Sequence, residues 1–442
     1  MRKFFLPLLV ITQLSFGQSA NQKKMDAYCT AQASFYQFSG VVLVAKGPTV
    51  VYQKAFGTAD RRWNIPTAPD TRFKIGSLTK QFTAALILQL ADAGRLSLED
   101  RLSQWFPALP KADSITLRTM LNHTSGLGSI NEGSPQFLAL VGRAVPPDSV
   151  ITLFQHNVLR FSPGRDFWYS NPAYVLLGSI AEKVTGQPFH VAVTNMVQRL
   201  GLNRTMPDRS DTLLPQLATG YERRAGRWMP ALPYAPEVLF SAGNMVSTAA
   251  DLHRWQQALH GGKVVSADRY RQMITPGLGK YGFGFWIDSV HGQKLIYHTG
   301  SYPGFANYAL YFPQSDLHVI VLSNGGGASP FVNMAYALAG IYLNQPVELP
   351  KKYTAIPTTA TGLEAVVGRY EVGLRPFVLL VKDGRLWTQT GSRLTEWKQF
   401  ATDAFFLDEG PDTQLYVLRN DSGEAKGLRL VRNGMETGMK KL

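Results

Sequence analysis

The chain is 442 residues long, 45% hydrophobic and 17% charged, with one Cys and a formal net charge of +14. That length and apolar content bury a large core and allow more than one domain, and they exclude a disordered, collagen-like or low-complexity chain. One cysteine excludes a disulfide framework, a cysteine zinc site and an iron–sulfur cluster, and the basic residues fall in scattered pairs such as Arg61-Arg62 and Lys351-Lys352 rather than in the cluster a nucleic-acid site needs.

At the N-terminus, Arg2-Lys3, the apolar run from Phe4 to Phe16 and the small Gly17 follow the order of a secretory signal peptide, so residues 1–17 are expected to be removed on export. The run is too short for a spanning helix of ~20 residues and no Cys follows it, so no stable membrane anchor is expected. The mature protein is therefore placed in the periplasm or outside the cell. Its diffuse positive charge suits attraction to anionic polymers or membrane surfaces, or solubility alone. Cys29 reads as a small, half-buried apolar residue.

Residues 40–45, the Gly47-Pro48 turn and residues 50–56 read as a β-hairpin. Between Ser77 and Gly94 the spacing turns helical, with Phe82, Leu86 and Leu90 on one stripe. A long middle section is rich in turns and short helices, including one over 174–184 stopped by Gly186. Strand patterns resume at 284–287, 295–298, 307–312 and 317–322, and a helix over 331–342 closes the unit. These elements predict one α/β domain over 25–345, its sheet built from both ends of that stretch. Pro346, Pro350, Pro357 and the run Thr358-Thr359-Ala360-Thr361 mark a linker over 346–362. Short alternating runs at 377–381, 385–389, 404–407, 414–418 and 427–431 then predict a small antiparallel barrel or sandwich over 363–442. That segment holds no His and no Cys, which points to a binding or structural role.

Three short motifs carry the chemistry. In Ser77-Leu78-Thr79-Lys80, the only Ser-x-x-Lys of the chain, a helix starting at Ser77 sets the lysine amine beside the serine hydroxyl. A serine hydroxyl is a weak nucleophile until a neighbouring base takes its proton, and a lysine serves once burial lowers its pKa. The bland reading makes Ser77 an N-cap. In Tyr169-Ser170-Asn171, a phenol beside a lysine can be pushed toward phenolate and act as general base, while Asn171 can bond the Lys80 amine and a substrate amide; the bland reading is a loop before a helix. In His298-Thr299-Gly300-Ser301, a glycine on an edge strand admits substrate backbone, and the next N–H can donate to an oxyanion.

In this order the three motifs resemble those of the penicillin-recognising serine enzymes, in the branch of class C β-lactamases and D-alanyl-D-alanine peptidases. The stretches 121–127, 241–248 and 281–286 are similar too, in a loop-shaping rather than a catalytic part. The resemblance implies an α/β (α+β) β-lactamase/transpeptidase-like domain with an antiparallel sheet and a helical subdomain, followed by a lipocalin-like all-β barrel. It implies that Ser77 is the nucleophile, Lys80 its activating partner and Tyr169 the proton shuttle. Asn171 would position Lys80 and substrate, the N–H groups of Ser77 and Ser301 would form the oxyanion hole, and His298, Thr299 and Gly300 would line the substrate site. His298 departs from the Lys of class C β-lactamases. A histidine half charged near its reference pKa of ~6.5 grips a substrate carboxylate less firmly, which favours peptidase, amidase or esterase chemistry.

Other patterns lack context. Residues 277–282 match G-x-G-x-x-G but follow Pro276 and lead into a strand-like stretch, so no dinucleotide is expected. There is no H-E-x-x-H or paired His spacing, so neither a metal nor a cofactor is implied. The reading is an exported serine hydrolase acting through a Ser77 acyl-enzyme on D-amino-acid peptides or amides, β-lactams or small esters, with a small-molecule or peptide partner from the cell wall. The alternatives are a non-catalytic β-lactam or muropeptide sensor of the same fold, and an adaptor in which the barrel binds cell-wall polymers.

Overall fold

The computed structural model describes residues 19–130, 134–224, 227–232, 234–326, 331–358, 363–372, 375–390, 393–407, 410–432 and 435–441; the expected signal peptide at 1–17 lies outside them. The run Val41-Val42-Leu43-Val44 is apolar at every position because both faces of its strand are covered. Gly40–Lys46 pairs with Thr49–Phe56 on one edge, as the hairpin reading expects, and with Leu317–Ser323 on the other, Val42 opposite Val321. The complete six-stranded antiparallel sheet runs Trp286–Val290, Gln293–Tyr302, Phe305–Phe312, Leu317–Ser323, Gly40–Lys46, Thr49–Phe56.

Alternation along each strand sends side chains to two separate cores. Val42, Val44, Leu310 and Val319 meet the helices Ala20–Tyr36 and Phe331–Tyr342 through Met25, Cys29, Met334 and Leu338. Cys29 is fully buried rather than half-buried, and its thiol pKa is pushed up to about 12 by desolvation. On the opposite face Val41, Leu43, Ile320 and Leu322 join the larger core around Leu78, Phe82 and Trp255. The helix Thr79–Asp92 runs through that core buried on all sides, with Phe82 stacked on Trp255 at 4.1 Å. It is not the one-sided stripe its spacing suggests.

The helix also starts later than expected. A 3₁₀ turn, Gly76–Leu78, precedes it, and neither the turn nor the helix takes a side-chain cap. Gly76 sits at φ +54, a conformation glycine adopts without steric cost, and this bend carries Ser77 into the turn instead of an N-cap position. The helix Asn171–Thr185 instead begins three residues before the expected start. Ser170 is its N-cap, accepting from the Ala173 N–H, and Gly186 ends it at φ +70. The first late strand begins at Trp286 because Gly284, at φ +77, lies against the backbone of Lys80 and Gln81, where a Cβ would meet the Lys80 oxygen at 2.9 Å.

After the main domain, residues 346–358 run without helix or strand, pinned where the Tyr36 hydroxyl donates to the Lys351 carbonyl at 2.7 Å and the Ile356 N–H donates to the Gln399 carbonyl at 2.8 Å. Eight antiparallel strands follow and close into a barrel, the first, Gly368–Val372, pairing with the last, Met435–Lys441, through Tyr370 opposite Lys441. Leu379, Leu386, Trp397, Phe405, Leu415 and Leu430 fill it. Five of these strands match the alternating runs. Gly368–Val372, Arg393–Ala401 and Met435–Lys441 do not stand out in the sequence, and closure of the barrel supplies their partners. Among the described residues no helix is long and apolar enough to cross a membrane.

Candidate active site

Two chain segments build the wall of the site. Past Tyr297 the strand Gln293–Tyr302 loses its neighbour Trp286–Val290, so residues 298–302 present an open edge. The Gly76–Leu78 turn packs on it. A Cβ on Gly300 would meet the Ile75 carbonyl oxygen at 1.9 Å, and one on Gly76 would meet the Ser301 oxygen at 2.4 Å and nitrogen at 2.9 Å. Two glycines thus let two backbones touch, and Ser77 and Ser301 come to line one cleft of about 400 Å³.

Lys80 lies beneath Ser77, wholly buried. Its Nζ donates to Asn171 Oδ1 at 2.8 Å and to the Ala242 carbonyl at 2.8 Å, which leaves the nitrogen lone pair of the neutral amine facing Ser77 Oγ at 3.1 Å. The third contact comes from the helix Pro236–Gly243, which is kinked at Phe240. Burial drives the Lys80 pKa well below that of a free lysine, and among the described residues no carboxylate opposes this.

Tyr169 is half-buried as a residue, yet its hydroxyl oxygen is sealed from solvent and makes no hydrogen bond of ordinary geometry. Its ring covers the Lys80 amine, 4.8 Å from centroid to Nζ. Burial raises the phenol pKa, and the neighbouring Ser77 hydroxyl offsets this only in part. The sequence reading allowed Lys80 to push Tyr169 toward phenolate; in the structure burial acts the other way and keeps the resting side chain a phenol.

Asn171, the first residue of its helix, takes the expected place beside Lys80 and also lines the cleft. His298 does not match its expectation. Its side chain is buried, its Nδ1 lies 2.6 Å from the Thr299 carbonyl and its Nε2 lies 2.9 Å from the Tyr281 hydroxyl. A carbonyl can only accept, so Nδ1 carries the proton and Nε2 accepts from Tyr281. Desolvation, then the nearby Lys80, pull the His298 pKa down to about 3, against the opposing Thr299 contact. The ring is neutral rather than half charged, and it forms a layer behind the cleft. Thr299 is half-buried and Gly300 forms the seam with Ile75. Of the four motif residues only Ser301 lines the cleft.

The structure adds a residue that sequence reasoning assigned to loop shape alone. His123 stands at φ +62, its carbonyl accepts from the Trp168 N–H at 3.0 Å and its Nδ1 accepts from the Ser170 N–H at 3.1 Å. It thus grips the backbone on both sides of Tyr169, and its ring lies 4.4 Å from that of Tyr169 and 4.5 Å from that of Tyr281. Ala242 and Gly243, from the 241–248 stretch, also line the cleft, and its other walls, Glu222, Tyr234, Leu239, Tyr302, Pro303 and Gly304, lie outside the motifs.

The Beta-lactamase family model matches residues 26–343. Over 290 residues the chain is 31% identical to "Putative penicillin-binding protein PbpX" of Bacillus subtilis (strain 168), covering 64% of this chain and 70% of that one. Among solved structures, an octameric penicillin-binding protein homologue from Pyrococcus abyssi shares the fold with a TM-score of 0.68 at 24% identity, over 95% of this chain and 99% of that one. A D-stereospecific amidohydrolase from Streptomyces sp. matches with a TM-score of 0.60 at 25% identity, over 68% of this chain and 94% of that one. The chain belongs to the Beta-lactamase family. It is a serine hydrolase with the β-lactamase/transpeptidase fold, followed by an all-β barrel.

Proposed function

We propose that this protein is an exported serine hydrolase that opens D-amino-acid peptides or amides, β-lactams or small esters through an acyl-enzyme on Ser77. The observation that carries this reading is the buried Lys80 amine, 3.1 Å from Ser77 Oγ and held well below its usual pKa. A neutral amine there can take the serine proton, which a lysine in water at pH 7 cannot.

In the first step Ser77 Oγ attacks the substrate carbonyl carbon and its proton passes to Lys80 Nζ. The carbonyl oxygen becomes an oxyanion between the backbone N–H groups of Ser77 and Ser301. Tyr169 then gives its phenolic proton to the leaving nitrogen or oxygen, the bond to the leaving group breaks, and Lys80 returns a proton to the phenolate. The ester left on Ser77 is hydrolysed by the reverse sequence, with water in the place of the leaving group. Asn171 holds the Lys80 amine against Ser77 throughout.

The N-terminal sequence supports export, and a substrate drawn from the cell wall suits a protein working outside the cytoplasm. The names of the penicillin-binding and D-stereospecific relatives support the D-amino-acid and β-lactam classes. The barrel takes a binding or structural part. A panel of D-aminoacyl p-nitroanilides, a chromogenic cephalosporin and p-nitrophenyl acetate, run with the mature protein and with Ser77→Ala, tests the reading. Turnover of at least one class that disappears in Ser77→Ala is expected. A single stoichiometric acylation without turnover would favour a sensor instead.

A further inference from the structure

We infer that Glu222 selects substrates with a free ammonium group next to the scissile carbonyl, so that the site prefers amides or peptides bearing an unblocked D-amino terminus over N-acylated substrates. This rests on the acyl-enzyme reading and names its substrate class.

Among the residues lining the cleft beside Ser77, Glu222 is the one that carries a formal charge. Two lysines by the site are committed elsewhere. Lys80 lies below Ser77 with its three partners. Lys74 directs its amine to Asp208 at 2.9 Å, behind the ring of Tyr302. His298 is buried and neutral, so it offers a substrate carboxylate no countercharge.

The strand bearing Glu222 is held firmly. Tyr221 N–H donates to the Asn324 carbonyl at 2.9 Å, and the Tyr221 hydroxyl donates to Asp60 at 3.0 Å, itself paired with Arg62. In the parallel pairing of Tyr221–Arg224, Glu222 stands opposite Gly326. The carboxylate pairs with Arg224 at 2.8 Å, but that arginine is 54% exposed, and an exposed ion pair of this kind is worth little and yields readily to a better-placed cation. A cleft of about 400 Å³ suits a single aminoacyl group, and its aromatic walls, Tyr234 and Tyr302, suit the apolar part of that group.

The test compares kcat/KM for D-phenylalanine p-nitroanilide and its N-acetyl form, using the mature full chain, Glu222→Gln and Arg224→Gln. Labelling of Ser77 by a fluorophosphonate is followed in parallel. The free amine is expected to be preferred about tenfold or more, an ion-pair contribution of the order of one decade in affinity. Glu222→Gln closes that gap by acting mainly on the free amine, and Arg224→Gln widens it by freeing the carboxylate. Equal rates for the two anilides, a preference for the acetylated one, or labelled Ser77 with neither anilide cleaved overturns the role of Glu222 and leaves the acyl-enzyme reading standing. An unlabelled Ser77 overturns both. Glu222→Gln that labels normally yet keeps the tenfold preference overturns the role of Glu222 alone.

Discussion

The amine of Lys80 lies 4.8 Å from the centre of the Tyr169 ring, with the Lys80 side chain and the Tyr169 hydroxyl oxygen both shut off from solvent. One proton can be distributed over this pair in two ways, as amine and phenol or as ammonium and phenolate. The second arrangement buries two charges where water cannot reach them, so the neutral pair is the resting state. Burial moves the two pKa values in the directions this requires, Lys80 down and Tyr169 up. Lys80 then accepts from Ser77 while Tyr169 donates to the leaving group, without an external proton source.

The pH dependence of kcat/KM follows from that. Lys80 accepts a proton only when neutral, so activity falls as pH drops below its lowered pKa. Tyr169 keeps its phenolic proton beyond the usual ~10, so it causes no alkaline loss below that value. Lys80→Arg stays charged at every pH, and a drop of about 10³ with no acid limb left is expected in a pH–rate profile.

Tyr169→Phe separates chemistry from stability. The hydroxyl it removes makes no hydrogen bond of ordinary geometry, and its neighbour Ser77 Oγ keeps Lys80 as a partner, so no buried group is orphaned and the thermal midpoint should not fall. The rate should drop by about 10² to 10⁴, the usual span for a lost proton donor, as read by steady-state kinetics beside thermal unfolding.

His123 positions Tyr169 through the backbone. His123→Ala leaves the Ser170 N–H without its acceptor, at a cost of about 1–3 kcal/mol. It also frees the Tyr169 loop, so kcat should fall more than KM rises. His123→Asn keeps an acceptor and tolerates positive φ, and it should recover most of kcat.

Gly300→Ala tests the seam between strand and turn. The new Cβ would stand 1.9 Å from the Ile75 oxygen, and two backbones must part to admit it. A shift of about 1 Å in a reacting group costs on the order of 10² in rate, which is the expected loss in kcat/KM. The barrel lies outside this seam, and its near-ultraviolet signal from Trp397 should not change.

Acid should destabilise the protein through a second group of histidines. They form a row of rings, His260 stacked on Tyr311 at 4.0 Å, Tyr311 on His318 at 4.7 Å, and His318 edge-on to His253 at 5.1 Å. Desolvation depresses all three pKa values, to about 3 for His260 and about 4 for His318, although Asp316 opposes it for His253 and His318. The unfolded chain therefore binds more protons than the folded one between about 6.5 and those values. Stability should decline steadily as pH falls below ~6.5, measured as denaturant midpoints from pH 7.5 to 4.

The parts legible in the sequence were those whose chemistry is local. Ser77 and Lys80 sit one turn apart on contiguous chain, and the apolar runs of the main sheet and of five barrel strands carry their own pattern. The helix Ala20–Tyr36 escaped because its buried face includes Gln32, which is paid for by a bond to the Tyr28 hydroxyl and breaks the apolar spacing. The 3₁₀ turn that holds Ser77, the neutral state of His298 and the contact from the Ala242 carbonyl all depend on packing between distant segments. Glu222 reaches the cleft from a short strand with no motif of its own. These features follow from burial and backbone proximity, which residue spacing does not encode.

The most direct measurement is intact-mass spectrometry of the mature protein after brief exposure to a fluorophosphonate and, separately, to a penicillin, with Ser77→Ala alongside. One stoichiometric fluorophosphonate adduct is expected, mapped to Ser77 and lost in Ser77→Ala, together with a penicilloyl adduct that decays as water completes the cycle. A folded protein that takes no adduct from either reagent would contradict the Ser77 acyl-enzyme.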